Sequence, residues 1–405
     1  MKINIFRSAA LVLLLALFSL NLAQAQETNL VDACVSDYDP DTDYFPVKVE
    51  PEITEGFSVE YFNNYKVVTV SRPWAGATED DAFQYVLVQC GTPAPEGFDQ
   101  GQIVEVPVER VIALSTTYLP HIVQLGESDS LIGLDSFLYT NTAEVVEKID
   151  AGELVEVGSG STINVETVLD AEPDVVFAYG SGFPEYDTHP VLGEAGVFTA
   201  LNGDLADTSL LARAEWIKFT ALFFNQEAEA NALFEGEVAA YEELVALTAD
   251  LPDEEKPLVL WDAYTSFNEA WFVPGEEAYT AQLLRDAGAI YVLSNAPEVQ
   301  DVSGSVPFDF EVVYEAGLGA DVWFANAFMT PDLATLLAAD ERYADFRAFQ
   351  DGQVYNNEAR VNANGGNDFY ETGVVNPHLI LADLIHILHP DLLPDHELFF
   401  YRRLE

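Results

Sequence analysis

Six loops of the chain concentrate aromatic and amide side chains, the types that bind organic molecules. Each follows an apolar segment, and they read STTYL, DSFLYTN, YGSG, WDAYTSFNEAW, NAF and NANGGNDFY. Tyr, Trp and Phe rings offer flat apolar surfaces, and Asn and hydroxyl groups add directional hydrogen bonds. Such a set suits a bulky organic molecule better than a bare ion or a small sugar.

The sequence contains no recognisable catalytic set. His386, His389 and His396 could suggest a zinc site, but the first two lie three residues apart in an apolar segment that ends at a proline, where packed or C-terminal histidines are typical. Ser115 and His121 could belong to a triad, yet no Gly-x-Ser-x-Gly elbow frames any serine. No phosphate-binding loop is present either. We therefore predict no catalytic residue, no protein-bound metal and no resident cofactor.

The first 25 residues have the pattern of a secretory signal peptide. Lys2 and Arg7 accompany the apolar run ALVLLLALF, and AQA at residues 23–25 offers small residues for cleavage. A membrane-spanning helix needs about 20 apolar residues, and this run is shorter. We expect an exported mature protein, periplasmic or at the cell surface.

Cys34 and Cys90 are the only two cysteines. In an oxidising compartment they most simply form one disulfide, which would tie the N-terminal arm to a strand-rich segment. Two free buried thiols are the alternative. A lipid on Cys34 is disfavoured, because this residue lies well beyond the apolar run of the signal.

The chain is strongly acidic, with 69 Asp and Glu against 16 Lys and Arg and a formal charge of −53. Nucleic acid is excluded as a partner, because binding its phosphates requires Lys and Arg. The acids are interspersed with apolar residues, so we expect them to coat a folded surface whose self-repulsion is relieved by salt. This composition indicates adaptation to a saline environment.

The order of the predicted elements indicates an α/β protein with two similar lobes. Residues 26–105 form an irregular arm and a strand-rich extension, in which FSVEYF, KVVTVSR and FQYVLVQC resemble short antiparallel strands. Strands and helices alternate over residues 106–206 and again over residues 252–405, which predicts a parallel sheet in each part. The second part ends in the helix NPHLILADLIHILHP and a charged tail.

Residues 207–251, between the two lobes, have a helical pattern. The main helix is expected to run from Asn225 to about Asp250, and at 1.5 Å per residue it would be roughly 36 Å long, enough to cross between two domains. The predicted fold is therefore α/β, with two parallel-sheet lobes joined by a single long helix and an added N-terminal strand-rich segment.

The two lobes repeat one helix-to-strand unit. INVETVLDAEPDVVFAYGSG begins at Ile163, and FDFEVVYEAGLGADVWFANAF begins at Phe308. Glu166 and Glu311 occupy the same place in the two copies, and an Asp-Val pair follows each of them at a corresponding point. The repeat supports two lobes of similar construction.

With these pieces in this order, the chain resembles the substrate-binding proteins of ABC importers for ferric siderophores and cobalamin. The similar segments cover about residues 105–393 and read RVIALSTTYLPHIVQLGESDSLIGL, INVETVLDAEPDVVFA, FNQEAEANALFEGEVAAYEELV, WFVPGEEAYTAQLLRDAGA, FDFEVVYEAGLGADVWFANA, QVYNN and VVNPHLILADLIHILHPDLL. The resemblance implies a monomer that captures a metal chelate or corrinoid as cargo and delivers it to a permease dimer. It also implies that Glu166 and Glu311 pair with arginines of the two permease subunits, whereas ordinary solvated glutamates are the alternative.

In such folds the ligand lies between the lobes, at the C-terminal ends of the strands. We therefore assign ligand contacts to residues of the aromatic loops: Tyr118, Tyr139, Tyr179, Trp261, Tyr264, Trp271, Phe328, Arg360, Asn367 and Tyr370. For any single aromatic residue, core packing is the alternative. Many anionic ferric siderophores are held by arginines, and Arg360 is the best-placed basic residue here. A neutral or cationic chelate or a corrinoid is therefore at least as well supported as an anionic one.

Two other function classes stay open on the sequence. A chelatase-like or metal-dependent enzyme on the same scaffold would bring His121 and His189 together in the cleft. An adhesion or structural protein, suggested by the N-terminal strands alone, would have a filled or sealed cleft.

Overall fold

The computed structural model describes residues 28–405, and the predicted signal peptide at residues 1–25 lies outside this range. Within the range, none of the helices combines the length and the apolar character that a bilayer crossing requires. Residues 28–56 form an irregular arm without helix or strand. A disulfide between Cys34 and Cys90 joins this arm to the following sheet, which confirms the predicted pairing.

Four strands build an N-terminal sheet: β1 (Phe57–Tyr61), β2 (Tyr65–Val70), β3 (Phe83–Gln89) and β4 (Ile103–Val106). The first three pair antiparallel, as predicted, whereas β4, which the sequence did not reveal, runs parallel to β3. Val68, Tyr85 and Leu87 share one buried cluster with Val111 and Ala113 of the first lobe. The N-terminal sheet is therefore an added layer on the first lobe.

The first lobe contains a five-stranded parallel sheet in the order β7-β6-β5-β8-β9. Its elements are β5 (Val111–Ala113), α1 (Leu119–Gln124), β6 (Leu131–Leu134), α2 (Ala143–Ala151), β7 (Val155–Glu156), α3 (Val165–Asp170), β8 (Val175–Ala178), α4 (His189–Glu194) and β9 (Thr199–Leu201). The strands β5, β8 and β9 are buried along their central residues, which explains their continuous apolar sequences.

Three helices link the lobes: α5 (Leu210–Ala214), α6 (Trp216–Leu222) and α7 (Glu227–Thr248). The long helix α7 has 22 residues, about 33 Å of length. It begins two residues later than predicted, because Asn225 has a φ of +58° and cannot continue a right-handed helix.

A buried ion pair fixes the N-terminal sheet to the start of α7. Lys66 Nζ donates to Glu227 Oε1 at 2.7 Å, to Asn225 Oδ1 at 2.8 Å and to the Leu222 carbonyl at 2.6 Å. Both charged side chains are fully buried. Burial lowers the pKa of Lys66, and the adjacent Glu227 opposes that shift. The pair is therefore satisfied by hydrogen bonds on every side, as a buried charge requires.

The second lobe repeats the α/β construction with the sheet order β12-β10-β14-β15-β16. Its elements are β10 (Leu258–Trp261), β11 (Trp271–Pro274), α8 (Tyr279–Asp286), β12 (Ile290–Tyr291), β13 (Ser305–Phe308), α9 (Phe310–Gly317), β14 (Val322–Phe324), α10 (Leu333–Ala339), α11 (Arg347–Gln350), β15 (Val354–Asn356), α12 (Thr372–Val375), α13 (Pro377–Leu388) and β16 (Arg402–Arg403). All strands of this sheet are parallel except β16. Helix α7 packs on α6 at one end and on α13 of this lobe at the other.

The C-terminal segment is not the free charged tail that the sequence indicated. Its strand β16 adds to the sheet edge beside β15, and Phe400, Tyr401 and Leu404 are buried. The carboxylate of Asp383 in α13 accepts hydrogen bonds from the backbone N–H groups of residues 399, 400 and 401. These bonds draw the segment back onto the lobe.

Candidate functional site

Loops at the carboxyl ends of the strands in both sheets meet and enclose a cavity of about 350 Å³. Its lining residues are Thr116, Tyr139, Asn326, Phe328, Asn357, Glu358, Gly365, Gly366, Asn367 and Tyr370. The first two follow β5 and β6 of the first lobe, and the others follow β14 and β15 of the second lobe. The volume lies in the range of small-molecule sites. No Lys or Arg is among the residues that line it.

One edge of the cleft is latched by Glu371, a buried residue of the second lobe. Its carboxylate accepts hydrogen bonds from the backbone N–H groups of Asn141 at 2.9 Å and Thr142 at 2.7 Å, and from the Thr142 hydroxyl. It thus binds the two residues that precede α2 of the first lobe, close to the helix N-terminus, where a negative charge is favourable. Burial raises the pKa of this carboxyl group.

The latch extends along the same edge. Asn362 Nδ2 donates to the carbonyl groups of Leu138 at 3.0 Å and Thr140 at 3.1 Å. Gly366 lies directly against the Tyr139 backbone, where any side chain would collide. The lobes are therefore in contact on this side of the cavity.

A second, smaller chamber of about 140 Å³ adjoins the main cavity on the side of the second lobe. Its lining residues are Trp261, Asp262, Ala278, Tyr279, Thr280, Leu283, Ser303, Gly304, Ser305, Asn326, Asn357, Phe369 and Tyr370. Three of them, Asn326, Asn357 and Tyr370, also line the main cavity and separate the two spaces.

A polar residue follows each of β10, β14 and β15 within two positions, which makes this side of the chamber polar. Asp262, Asn326 and Asn357 follow these neighbouring strands, and Asn326 Nδ2 donates to Asp262 Oδ1 at 3.0 Å. Asp262 and Asn326 both have left-handed backbone conformations, with φ of +59° and +43°. Asn326 Oδ1 is buried without a hydrogen-bond partner. Burial raises the pKa of Asp262 to about 7, and the bond from Asn326 opposes this shift.

Charged and polar groups of the first lobe lie deeper than the cavity lining. Arg213 in α5 forms an ion pair with Asp204 at 3.1 Å, and its guanidinium lies 5.5 Å from the Tyr279 ring centre. Tyr118 is buried, its hydroxyl has no hydrogen-bond partner, and burial raises its pKa. These residues line neither of the two spaces.

The ligand residues assigned from the sequence fall into two groups. Tyr139, Phe328, Asn367 and Tyr370 line the main cavity, and Trp261 lines the smaller chamber together with Tyr370. The remaining five line neither space: Tyr118, Tyr179, Tyr264, Trp271 and Arg360. Half of the set is thus brought together.

Two of those assignments are corrected by clear packing arrangements. Trp271 is fully buried, donates from Nε1 to the Trp261 carbonyl at 2.9 Å and packs on Trp323, so it belongs to the core of the second lobe. Arg360 forms an ion pair with Asp368 at 2.6 Å and lies over the Phe399 ring. Its guanidinium therefore does not line the cavity.

Sequence reasoning missed the polar wall and Tyr279. The wall residues lie within or beside the aromatic loops: Asp262, Asn326 and Asn357. Their short polar side chains were not among the assigned ligand contacts. The available signal was position, since each follows the end of a buried strand, where ligand contacts of parallel sheets concentrate. Tyr279 lies at the start of a helix, and nothing local in its sequence marks it.

The repeated helix-to-strand unit has one geometry in both lobes. The backbone N–H of Asp174 donates to the Arg110 carbonyl just before β5, and the Asp174 carboxylate accepts from the Arg110 N–H. Asp321 forms the same two hydrogen bonds with Leu258 at the start of β10. An arginine guanidinium binds the carbonyl groups that follow each helix, Arg110 after α3 and Arg347 after α9. The shared Asp-Val pair thus joins each unit to the first strand of its sheet.

Glu166 and Glu311 lie in the first turns of α3 and α9, and both are exposed. Glu311 has one long contact of 3.4 Å with Arg342, which also pairs with Asp340, and its side chain stays 73% exposed. The two carboxylates are therefore available at corresponding points of the two lobes.

The N-terminal extension contacts the loop that follows β8. Trp74, in the loop between β2 and β3, packs on Gly180 and Gly182 of the YGSG loop that follows β8. Its ring also stacks on His189 and meets Phe83 edge-on. A side chain on either glycine would collide with the indole. The extension thus supports a loop of the first lobe that the sequence predicts to face the ligand.

The two histidines that an enzyme would bring together are not neighbours in the cleft. His121 is buried, bonds to Thr220 through Nδ1 and has its pKa lowered to about 3 by burial. His189 packs on Trp74 and Phe83, and neither histidine lines the two spaces. Among residues 28–405, no group of three or more His, Cys, Asp or Glu side chains is arranged to hold a metal ion.

Comparisons with known proteins point in one direction. Residues 111–361 match the sequence profile of a family described as periplasmic binding protein. Two relatives are uncharacterized lipoproteins of Methanocaldococcus jannaschii. One is 24% identical over 75% of this chain and 70% of its own length, and the other is 25% identical over 80% of each chain.

Similar solved structures include two bacterial binding proteins. A possible iron-binding (periplasmic solute-binding) protein of Staphylococcus epidermidis has a TM-score of 0.54 and 14% identity, over 70% of this chain and 99% of its own. A periplasmic heme binding protein of Pseudomonas aeruginosa has a TM-score of 0.53 and 17% identity, over 74% of this chain and 98% of its own. At these identities the likeness establishes the shared two-lobe fold.

Proposed function

The chain belongs to the periplasmic binding protein family, and from this premise we propose that it captures a metal chelate or corrinoid outside the cytoplasm and delivers it to an ABC importer. The observation that carries the proposal is the cavity of about 350 Å³ at the meeting of the two lobes, lined by aromatic and amide side chains. Such a cavity offers recognition without a reacting group. Two proteins of similar structure, a possible iron-binding protein and a heme binding protein, agree with cargo of this kind.

We propose further that the cargo is neutral or cationic. The lining includes Glu358, whose carboxylate lies 3.7 Å from the Arg402 guanidinium, and no arginine or lysine is among the lining residues to balance an anionic chelate. The formal charge of −53 acts in the same direction, because a strongly negative protein repels anions at long range. A high salt concentration would screen the long-range part but not the contacts inside the cavity.

A tryptophan-fluorescence titration of the mature protein in high salt tests the ligand class. The panel contains a ferric hydroxamate, a ferric catecholate, cobalamin and haem. Saturable quenching by the ferric hydroxamate or cobalamin at sub-micromolar concentration supports both proposals and identifies the cargo, whereas quenching by the anionic ferric catecholate or haem supports capture of a chelate but contradicts a neutral or cationic cargo. Folded protein that responds to none of the four contradicts the proposed ligand class.

Variants of the lining residues link that binding to the cavity. Phe328→Ala and Tyr139→Ala should each weaken binding by about tenfold, because each removes an aromatic contact surface. Phe267→Ala is the matched control, since Phe267 is 94% exposed and lines neither space. Equal effects of all three changes would place the ligand elsewhere.

Delivery is proposed to depend on Glu166 and Glu311, which would pair with arginines of the two permease subunits. Replacing both with alanine should abolish uptake and leave ligand affinity unchanged. Asp170→Ala with Glu315→Ala is the matched control, because these exposed acids lie on the same two helices. Uptake that survives the first pair of changes, or affinity that falls with it, would refute the docking role.

A further inference from the structure

The smaller chamber beside the main cavity combines one carboxyl group with aromatic rings. Asp262 forms one wall, and rings of Trp261, Tyr279, Phe369 and Tyr370 form others. Its volume of about 140 Å³ is close to that of cavities that hold a single benzene ring, ~150 Å³. It therefore has room for one small organic group and not for a whole chelate.

One polar acceptor in the lining of this chamber lacks a donor. Asn326 Nδ2 donates a hydrogen bond to Asp262, and Asn326 Oδ1 is buried without a hydrogen-bond partner. The chamber has no lysine or arginine in its lining. A buried unpaired acceptor is unfavourable, so a ligand that brings N–H donors would gain by supplying them.

We propose that this chamber binds an organic ammonium group of the ligand, with Asp262 as its counter-charge and the aromatic rings around it. An ammonium donates hydrogen bonds to carboxylate and amide oxygens, and its charge is attracted to the faces of aromatic rings within about 6 Å. The inference rests on the proposed function, because it specifies that a captured chelate carries a protonated amine.

The charged groups around the chamber are compatible with this assignment. The Arg213 guanidinium lies beyond the Tyr279 ring, and its charge is paired with Asp204 at 3.1 Å. Burial raises the pKa of Tyr279, Tyr370 and Tyr401 above the ordinary value near 10, and the charge of Asp262 adds to each shift, so these tyrosines stay neutral. Glu358, on the main cavity, has its charge paired with Arg402 at 3.7 Å.

The first turn of α8 forms another wall through Ala278, Tyr279 and Thr280, and no side chain caps it. The N-terminus of a helix favours an oxygen atom of the ligand. A ligand with a carbonyl or hydroxyl oxygen next to its ammonium could therefore bind the Asp262 carboxylate through the ammonium and the N–H groups of α8 through the oxygen.

The first test uses a probe small enough for the chamber alone. Phenethylammonium and its neutral N-acetyl derivative are titrated by calorimetry at pH 8. We expect phenethylammonium to bind at least about tenfold more tightly in the wild type. Asp262→Asn should remove this preference, whereas Asp286→Asn should keep it. Asp286 is a matched control because burial also raises its pKa but it lines neither space.

The same preference should depend on pH. With an Asp262 pKa of about 7, the carboxyl group is mostly ionised at pH 8 and mostly protonated at pH 6, while the amine keeps its charge at both. Binding of phenethylammonium should therefore weaken by about tenfold from pH 8 to pH 6. Equal binding of the charged and neutral probes, or a preference that survives in Asp262→Asn, would overturn the inference.

The second test uses two iron complexes that differ only at the amine. Ferric deferoxamine has a terminal ammonium on a neutral trihydroxamate complex, and its N-acetylated form lacks the charge. Tighter binding of the ammonium form supports the inference within the proposed function. Equal binding of both would retain the chelate receptor and reject the ammonium site. Binding of phenethylammonium without either iron complex would retain the ammonium site and count against a ferric hydroxamate as cargo.

Discussion

Asp262 has an uncommon position, because its backbone is left-handed and its carboxyl group faces a confined chamber. The Trp323 indole donates to the Asp262 carbonyl at 2.7 Å, which holds this backbone in place. Burial raises the pKa of the carboxyl group from its ordinary value near 3.9 to about 7. The side chain is therefore placed where it reduces the stability of the protein without ligand, which is a common property of binding sites.

We expect Asp262→Asn to stabilise the ligand-free protein at pH 8 by about 2–4 kcal/mol. Between about pH 4 and pH 7 the native carboxyl group is protonated and the unfolded one is ionised, so unfolding releases a proton and rising pH favours the unfolded state. Asn adopts left-handed backbone conformations readily, so the change adds little strain. Urea unfolding at several pH values measures the difference from wild type, which should shrink steadily towards pH 4. A constant difference across this range would contradict the linkage.

At the scale of elements, the N-terminal extension is a layer of the first lobe and not a separate lid. Its sheet shares a core with the first lobe, Lys66 anchors it to α7, and Trp74 reaches the loop after β8. Asp187 holds the same loop by accepting hydrogen bonds from the backbone and side chain of Ser181, both at 2.7 Å. This loop is therefore fixed from two sides.

Gly180→Ala should loosen this arrangement, because the new methyl group would lie 2.6 Å from Cε3 of the Trp74 ring. We expect a loss of about 1–3 kcal/mol in stability, together with weaker ligand binding. Thermal unfolding and the ligand titration measure the two effects.

Gly193→Ala is the control for that change, since its added methyl group would contact nothing within 4 Å and it lies in α4. It should leave binding unchanged and leave stability equal or slightly higher. Combining Gly180→Ala with Trp74→Ala should remove the collision and recover part of the stability. If Gly180→Ala behaves like Gly193→Ala, the contact with Trp74 does not support the loop.

At the scale of the whole molecule, the two lobes are held by α7 behind the cleft and by the Glu371 latch at its edge. The latch is a carboxylate from one lobe on the helix N-terminus of the other, so opening the cleft on this side would expose both. The chain also carries a formal charge of −53, which makes every compact state self-repulsive in dilute buffer.

We expect salt to stabilise the protein as a whole. Raising NaCl from 0.1 M to 2 M shortens the Debye length from about 10 Å to less than 3 Å, which weakens repulsion among the surface carboxylates. The unfolding temperature should rise by about 5 °C or more. Differential scanning calorimetry measures this change, with KCl as a check that the effect follows ionic strength. An unfolding temperature that stays constant or falls would show that the acidic surface does not limit stability.

Much of the fold follows from local sequence. Alternating strand and helix patterns predict the two parallel sheets, and the repeat around Glu166 and Glu311 predicts their similar construction. The physical reason is that buried parallel strands need continuous apolar runs and their covering helices need one apolar face. The bounds of α7 and the return of the C-terminal segment as β16 were beyond such patterns, because Asn225 and Asp383 act through distant backbone groups.

The site divides in the same way. The sequence predicts which loops form the cleft, because the ends of parallel strands always meet at one edge of a sheet. Five of the six aromatic loops contribute residues to one of the two spaces, and YGSG does not. Tertiary contacts select the side chains that line these spaces: they put Trp271 into the core, pair Arg360 with Asp368, and join Asp262 to Asn326 across neighbouring strands. Burial and pairing are properties of contacts between distant segments, so no local pattern distinguishes an aromatic ring that packs from one that binds.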